Sequence, residues 1–174
     1  MYNEEETIGT VVTMALRHVD EVICIDDGSS DSSARIAEAC GATVIRHRGN
    51  QGYGAALKTL FKSTRDSDAD ILVVLDSDGQ HDTADIPKLI RPILEEEADF
   101  TIGSRFVEGG EGNDMPAYRR LGIKVITAAS NLTSDLGIKD TQSGFRAFSR
   151  KAIDRLRFDA DGMELSLEML EDAK

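Results

Sequence analysis

Residues 70–81, Asp70-Ile71-Leu72-Val73-Val74-Leu75-Asp76-Ser77-Asp78-Gly79-Gln80-His81, decide the fold. From Asp70 to Leu75 the run is apolar on both faces, the pattern of a central strand in a parallel sheet covered on both sides. It breaks off in Asp76-Ser77-Asp78, so two carboxylates at i and i+2 stand at the carboxyl end of a strand, where open α/β sheets bind ligands. Such a pair can share one divalent cation, and hard oxygen ligands favour Mg²⁺ or Mn²⁺. An acidic turn built on Asp78-Gly79 is the competing reading, and for an isolated Asp-x-Asp it is the commoner one. The strand end shifts the balance toward a metal.

Outward from this strand, short apolar runs alternate with helical patterns, which predicts an α/β fold with a mainly parallel sheet flanked by helices. Upstream, Ile8, Val11, Val12, Ala15, Leu16 and Val19 fall at helical spacing, and Asn3 with Glu6 has the residue types of a capping box. A strand is predicted over Glu21 to Ile25, a helix over Ser32 to Cys40 closed by Gly41, and a strand over Thr43 to Arg46. The glycine-rich turn Gly49 to Gly54 leads into a helix over Ala55 to Thr64. Downstream, a helix is predicted over Asp85 to Glu97, with Pro87 harmless near its start and Pro92 placed to bend or interrupt it. A strand over Asp99 to Ile102 follows. Gly103 to Pro116 reads as loop, Tyr118 to Leu136 as a long helix, and Ile138 to Ser149 as a polar segment before two helical stretches. A sheet of this class normally has a strand before its first helix, so the first strand is expected to be missing here. The uncapped amphipathic run Met163 to Leu170 makes the other end look cut as well.

A second acidic cluster, Asp26-Asp27-Gly28-Ser29-Ser30-Asp31, also lies between a strand and a helix. Its carboxylates can accept hydrogen bonds from a base or ribose, while Ser29, Ser30 or Asp31 can equally cap the helix. The 174 residues carry 20 Lys+Arg against 32 Asp+Glu, a net charge of −12. A general grip on nucleic acid is thereby excluded, and any anionic ligand must meet a local basic site. Hydrophobic residues at 40% and charged residues at 30% are ordinary globular usage. Cys24 and Cys40 have no metal-ligand spacing and read as reduced buried thiols. The longest apolar stretch, Ile71 to Leu75, is far short of a membrane span, and no secretory leader opens the chain.

Taken in order, six blocks of the chain resemble family 2 glycosyltransferases. They are Tyr2-Asn3-Glu4-Glu5, Asp26-Asp27-Gly28-Ser29-Ser30-Asp31, Asn50-Gln51-Gly52-Tyr53-Gly54-Ala55, Asp76-Ser77-Asp78-Gly79-Gln80-His81, Gly103-Ser104-Arg105 and Gln142-Ser143-Gly144-Phe145-Arg146. Within that family they look most like the dolichyl-phosphate mannosyl- or glucosyltransferase branch. The resemblance implies the GT-A fold: a nucleotide-binding α/β half with a mixed sheet, joined to an acceptor-binding half, with a central strand ahead of the Tyr2 block. It implies one catalytic domain over residues 1–174, truncated at both ends. Tyr2 and Glu4 would then edge the base and ribose of a nucleotide diphosphate sugar, and Asp27 would contact the base. Asp76, Asp78 and Gln80 would surround Mg²⁺ or Mn²⁺, with Asp76 also on the phosphate side. Asn50, Gly52 and Gly54 would shape the loop beside the nucleotide.

The resemblance also places Arg105 and one of Arg119 or Arg120 near a lipid phosphate, and Arg146 close to the sugar or diphosphate. A guanidinium fork suits phosphate oxygens, and in an acidic chain these arginines form the local basic site. A surface ion pair is the competing reading for whichever of Arg119 and Arg120 faces outward. The implied reaction is metal-dependent, inverting transfer of a hexose from a GDP- or UDP-sugar to a polyprenyl phosphate. A phosphate acceptor needs no general base, its second pKa being about 6. A hydroxyl acceptor does, with Asp140 or Glu164 as the candidate. The alternatives are a family 2 transferase acting on a glycan or other hydroxyl, and a non-catalytic domain that binds nucleotide sugar or a protein partner. A homo-oligomer is a possible assembly, and the expected place is the cytoplasm, peripherally at a membrane face if the acceptor is a lipid.

Overall fold

The computed structural model describes residues 1–104, 122–126 and 144–156. In chain order the elements are α1 (Ile8–Ala15), β1 (Ile23–Asp26), α2 (Ser33–Ala39), β2 (Thr43–Arg46), α3 (Tyr53–Arg65) and β3 (Ile71–Val74). A 3₁₀ turn (Thr83–Asp85), α4 (Ile86–Leu94), β4 (Phe100–Ser104), β5 (Gly122–Ile126), β6 (Arg146–Ser149) and α5 (Arg150–Arg155) complete the order. The α/β alternation read from the sequence therefore holds from α1 to β4. Strands β1 and β2 pair in parallel, from Ile23 opposite Thr43 to Asp26 opposite Arg46. Strands β3, β6, β4 and β5 form a second sheet in that order, each neighbouring pair antiparallel. β3 and β4 both run against β6 and so share one direction, yet every neighbouring pair of this sheet is antiparallel. Among the described residues the expected parallel pairing is found between β1 and β2, because β6 inserts between β3 and β4.

β3 buries one face fully and the other in part, as its alternation dictates. Leu72 and Val74 join Leu57 and Phe61 of α3, Phe100 and Ile102 of β4, Phe148 of β6 and Ile153 of α5. Ile71, Val73 and Leu75 face the other way, toward Ile86, Leu89 and Ile93 of α4 and Phe145 and Ala147. Phe148 is the centre of the first layer, edge-on to Phe61 at 5.0 Å and stacked on Phe100 at 4.7 Å. Truncating such a ring in a packed core costs about 3–5 kcal/mol. The register that buries Phe148 also carries Arg146 into the interior, because residues two apart share a face.

Four local expectations are corrected. Residues 122–126 lie in strand β5, inside the span predicted as the helix Tyr118 to Leu136. Gly122-Ile123-Lys124-Val125-Ile126 has β-branched residues at alternate positions, so a short apolar run served both periods and pairing with β4 decided it. The polar segment predicted up to Ser149 ends in β6, an interior strand. The Asn3–Glu6 capping box does not form: α1 starts at Ile8 after Thr7, Asn3 takes a left-handed φ of 55°, and its side chain serves another loop. Pro92 does not interrupt α4, which continues two residues further to Leu94.

A cleft of about 1050 Å³ separates the two sheets. Val12 and Ala15 of α1, Leu57 and Leu60 of α3, and Ile71 and Val73 of β3 supply apolar lining. Met1 lies along the edge of β1 away from β2. Its amine donates to the Ile25 carbonyl at 2.8 Å and its carbonyl accepts from Asp27 N–H at 3.0 Å, the bonds of a parallel bridge.

Candidate functional site

Both acidic clusters occur where a strand ends at this cleft, whose lining includes Tyr2, Glu4, Asp27, Asn50, Asp76 and Asp78. The structure thus brings together residues that lie up to 76 positions apart in the chain, from Tyr2 to Asp78.

At the end of β1, Asp26 is fully buried and closes the turn by accepting from Ser29 N–H at 2.9 Å. Its other oxygen meets Arg46 Nε at 2.9 Å as an ion pair, off the line of a hydrogen bond. Asp27 is bound from three sides. Oδ1 accepts from Gln51 N–H at 2.9 Å and pairs with His47 Nδ1 at 2.7 Å, while Oδ2 accepts from Gly52 N–H at 2.7 Å. Burial pushes the Asp27 carboxyl up, but these backbone and imidazole hydrogen bonds outweigh it and hold the group below its ordinary value. The Gln51 and Gly52 amides of the glycine loop are thereby turned to the carboxylate rather than offered to a phosphate. Gly28, at φ +80°, allows this approach: a Cβ there would stand 2.6 Å from the Gly49 backbone.

The Tyr2 block is tied to the same turn. Asn3 N–H donates to Ser29 Oγ at 3.0 Å, Glu4 N–H to Ser33 Oγ at 2.7 Å and Glu5 N–H to Asp31 Oδ2 at 3.2 Å. In return Ser30 N–H donates to Asn3 Oδ1 at 2.9 Å and Ser32 N–H to Glu5 Oε2 at 2.9 Å. Asp31 accepts from Ser33 N–H and so brackets the start of α2 from the position before its N-cap residue, Ser32. Tyr2 stands exposed beside this bracket, and Glu4 is half-buried.

At the end of β3 the arrangement is looser. The Asp76 side chain keeps 41% exposure and meets His81 Nε2 at 3.3 Å. His81 stacks on Phe145 at 5.3 Å, so it packs in the turn. Asp78 Oδ1 accepts from Gln80 N–H at 2.9 Å, and Gly79 supplies the φ of +74° the turn needs. Gln80 is exposed. Gly144 abuts Asp76, and a Cβ at that position would overlap the carboxylate. Arg146 is 3% exposed; burial pulls its pKa down, opposed by the charges of Tyr53 and Asp76.

The donor chemistry here suits a hard cation: the carboxylates of Asp76 and Asp78 and the side-chain amide of Gln80 belong to one turn at the end of β3. Among the described residues no group of three or more His, Cys, Asp and Glu forms a metal cluster by itself. Mg²⁺ fits such a partial set, because it ordinarily completes its shell with water and substrate phosphates. Arg105, Arg119, Arg120, Asp140 and Glu164 lie outside the described residues. Among the described residues no helix is long and apolar enough to cross a membrane. Cys24 and Cys40 are free thiols, Cys24 buried and pushed by that burial up to about 11, Cys40 only half-buried.

Sequence reading gave no role to His47 or Gly144, and Thr59 went unremarked. His47 follows β2 directly, at the same sheet edge as the acidic cluster that follows β1. That adjacency is the signal that could have found it.

Residues 1–157 match the family Glycosyl transferase family 2. The chain is 33% identical over 170 residues to the UDP-N-acetylglucosamine--dolichyl-phosphate N-acetylglucosaminyltransferase of Methanococcus voltae, covering 87% of this chain and 68% of that protein. It is 31% identical to the dolichol-phosphate mannosyltransferase of Pyrococcus furiosus, covering 97% of this chain and 50% of that one. Glucosyl-3-phosphoglycerate synthase of Mycobacterium tuberculosis, solved with Mg²⁺ and uridine diphosphate, superposes with a TM-score of 0.70 at 27% identity. That match covers 99% of this chain and 61% of the solved one, so the chain spans about three fifths of that structure's length. The fold is accordingly the GT-A type.

Proposed function

From the premise that the chain belongs to glycosyl transferase family 2, we propose that it is the catalytic part of an inverting transferase moving a hexose from a nucleotide diphosphate sugar to a polyprenyl phosphate. The observation that carries this reading is the convergence of the two acidic strand ends on one cleft, one rigid and one open. The names of the two archaeal relatives, both dolichyl-phosphate sugar transferases, support the acceptor.

In this reading Asp27 accepts a hydrogen bond from the base, with Tyr2 and Glu4 along the base and ribose. Asp78, Asp76 and the Gln80 amide oxygen hold Mg²⁺ or Mn²⁺. The ion's contribution is charge neutralisation of the diphosphate leaving group. Arg146, desolvated beneath the same turn, directs its field at the diphosphate or sugar. Arg105 with Arg119 or Arg120 grips the acceptor phosphate, whose oxygen attacks the anomeric carbon from the face opposite the diphosphate. Because that oxygen is already anionic near neutral pH, no side chain has to take a proton.

The test is thermal unfolding with Mg²⁺ or Mn²⁺ and, in turn, UDP and GDP, followed by transfer from the matching labelled sugar nucleotide to a polyprenyl phosphate. A nucleotide at about a hundred times its dissociation constant stabilises the native state by about 2.7 kcal/mol. A metal-dependent shift with lipid-phosphate product supports the reading. A shift with product only on a hydroxyl acceptor moves it to the glycan alternative, and no shift in a folded chain overturns the donor site.

A further inference from the structure

Asp27 is the centre of a three-element lock. His47, one residue past β2, joins Asp27 through Nδ1 at 2.7 Å and Thr59 of α3 through Nε2 at 2.9 Å. The imidazole and the aspartate are almost wholly buried, with side-chain exposures of 9% and 7%. An ionised Asp27 only accepts, so Nδ1 carries the proton; in the neutral ring Nε2 then accepts from the Thr59 hydroxyl. A ring anchored at both nitrogens cannot swing, and the carboxylate it holds has one orientation.

Counting acceptor positions gives this lock a consequence. A carboxylate has about four lone-pair sites, two on each oxygen. On Asp27 the two at Oδ1 are taken by His47 Nδ1–H and Gln51 N–H. At Oδ2 Gly52 N–H takes one, so a single site remains on a residue that lines the cleft. A uracil presents one ring N–H, at N3, which one site satisfies. A guanine presents N1–H and N2–H side by side, a pair that needs both oxygens. Leaving one of those donors buried and unpaired is costly.

We propose that His47, anchored by Thr59, sets the donor base: by filling Oδ1 it leaves Asp27 a single acceptor, which selects a uridine over a guanosine diphosphate sugar. The inference rests on the reading that Asp27 holds the base. His47 acts through Asp27 and is a positioning residue.

Calorimetric titration of the whole chain with UDP and with GDP, each with Mg²⁺, tests it. The native protein is expected to bind UDP at least about tenfold more tightly than GDP. His47→Gln can still reach Thr59 but no longer places a donor at Oδ1, and the preference should collapse to within about threefold. His47→Asn puts an amide N–H where Nδ1 stood and should keep the preference, which a merely structural role would not distinguish from Gln. Thr59→Val, the milder change, should narrow the preference partway with little loss of melting temperature. A native preference for GDP overturns the inference, as does equal loss of both nucleotides in His47→Gln with their ratio unchanged. Asp27→Asn separates the two levels: if it binds both nucleotides like the native chain, the base-site reading fails. If it loses UDP while the His47 variants keep the native ratio, only the inference fails. Absence of binding by either nucleotide overturns both.

Discussion

The strand ends of β1 and β3 carry acidic motifs that look alike in the sequence, yet the structure uses them differently. After β1, Asp26 is sealed in and Asp27 has three donors on its two oxygens. After β3, Asp76 keeps 41% of its side chain exposed with a His81 contact of 3.3 Å, and Asp78 holds one backbone N–H. A carboxylate held by three donors is fixed in orientation and keeps a single acceptor for a ligand. One with open lone pairs is available to bind. The comparison teaches that a ligand-holding carboxylate is recognised by the acceptors it has left over.

The sharpest break of that contrast is Asp78→Asn. If the β3 end is the open one, losing this carboxylate should cut transfer by about 10³-fold, several kcal/mol of barrier at about 1.4 kcal/mol per tenfold. The metal-dependent nucleotide shift should vanish with it. The ligand-free melting temperature should hardly move, because the side chain makes one turn hydrogen bond at the surface. A large loss of ligand-free stability would show that Asp78 is architectural after all. Gly144→Ala probes the same end indirectly. The new methyl meets only the end of the Asp76 side chain, so the carboxylate swings away and the backbone stays. Transfer should fall by about 10–100-fold with near-native melting, each 1 Å of misplacement being costly in a positioned site.

How much of this contrast was legible in the sequence can be read from particular residues. The alternation from Ile8 to Ile102 was, because each apolar run there has one period and one length class. The cleft location of Asp27, Asp76 and Asp78 was, because strand ends are where such sheets bind ligands. Strand β6 was not, since Arg146-Ala147-Phe148-Ser149 is too short to show a period and owes its place to β3 and β4. Nor was the network among Asn3, Glu4, Glu5 and the Ser29–Ser33 turn, which joins residues 26 to 29 positions apart. Local pattern suggested a capping box for Asn3, and a non-local partner claimed its side chain instead.

Glycines sharpen the comparison at the next level of effect. Gly28 and Gly79 both have positive φ, +80° and +74°. At Gly28 a Cβ would also strike the Gly49 backbone at 2.6 Å, whereas at Gly79 the nearest atom is a Thr7 methyl at 3.8 Å. Gly28→Ala should therefore cost about 2–3 kcal/mol in denaturant unfolding, conformation and clash together. Gly79→Ala should cost about 1 kcal/mol, conformation alone. Equal costs would mean that the β1 turn is no tighter than the β3 turn.

The smallest effect concerns acid. Hydrogen bonds from Gln51, His47 and Gly52 prevail over burial and hold the Asp27 carboxyl below its ordinary value in the folded chain. The native state therefore binds fewer protons than the unfolded one as pH falls past the unfolded value of about 3.9. Stability from this group is fully present above that pH and is lost as pH drops through the lowered folded value. Asp27→Asn removes the titrating group, so unfolding free energy should be lower near neutrality and its decline below about pH 4 shallower than in the native chain. A variant whose acid limb keeps the native slope would mean that the donors around Asp27 do not favour its charged form. The β1 end would then lose its distinction from the β3 end at the level of protons, even if the hydrogen bonds that define it stay in place.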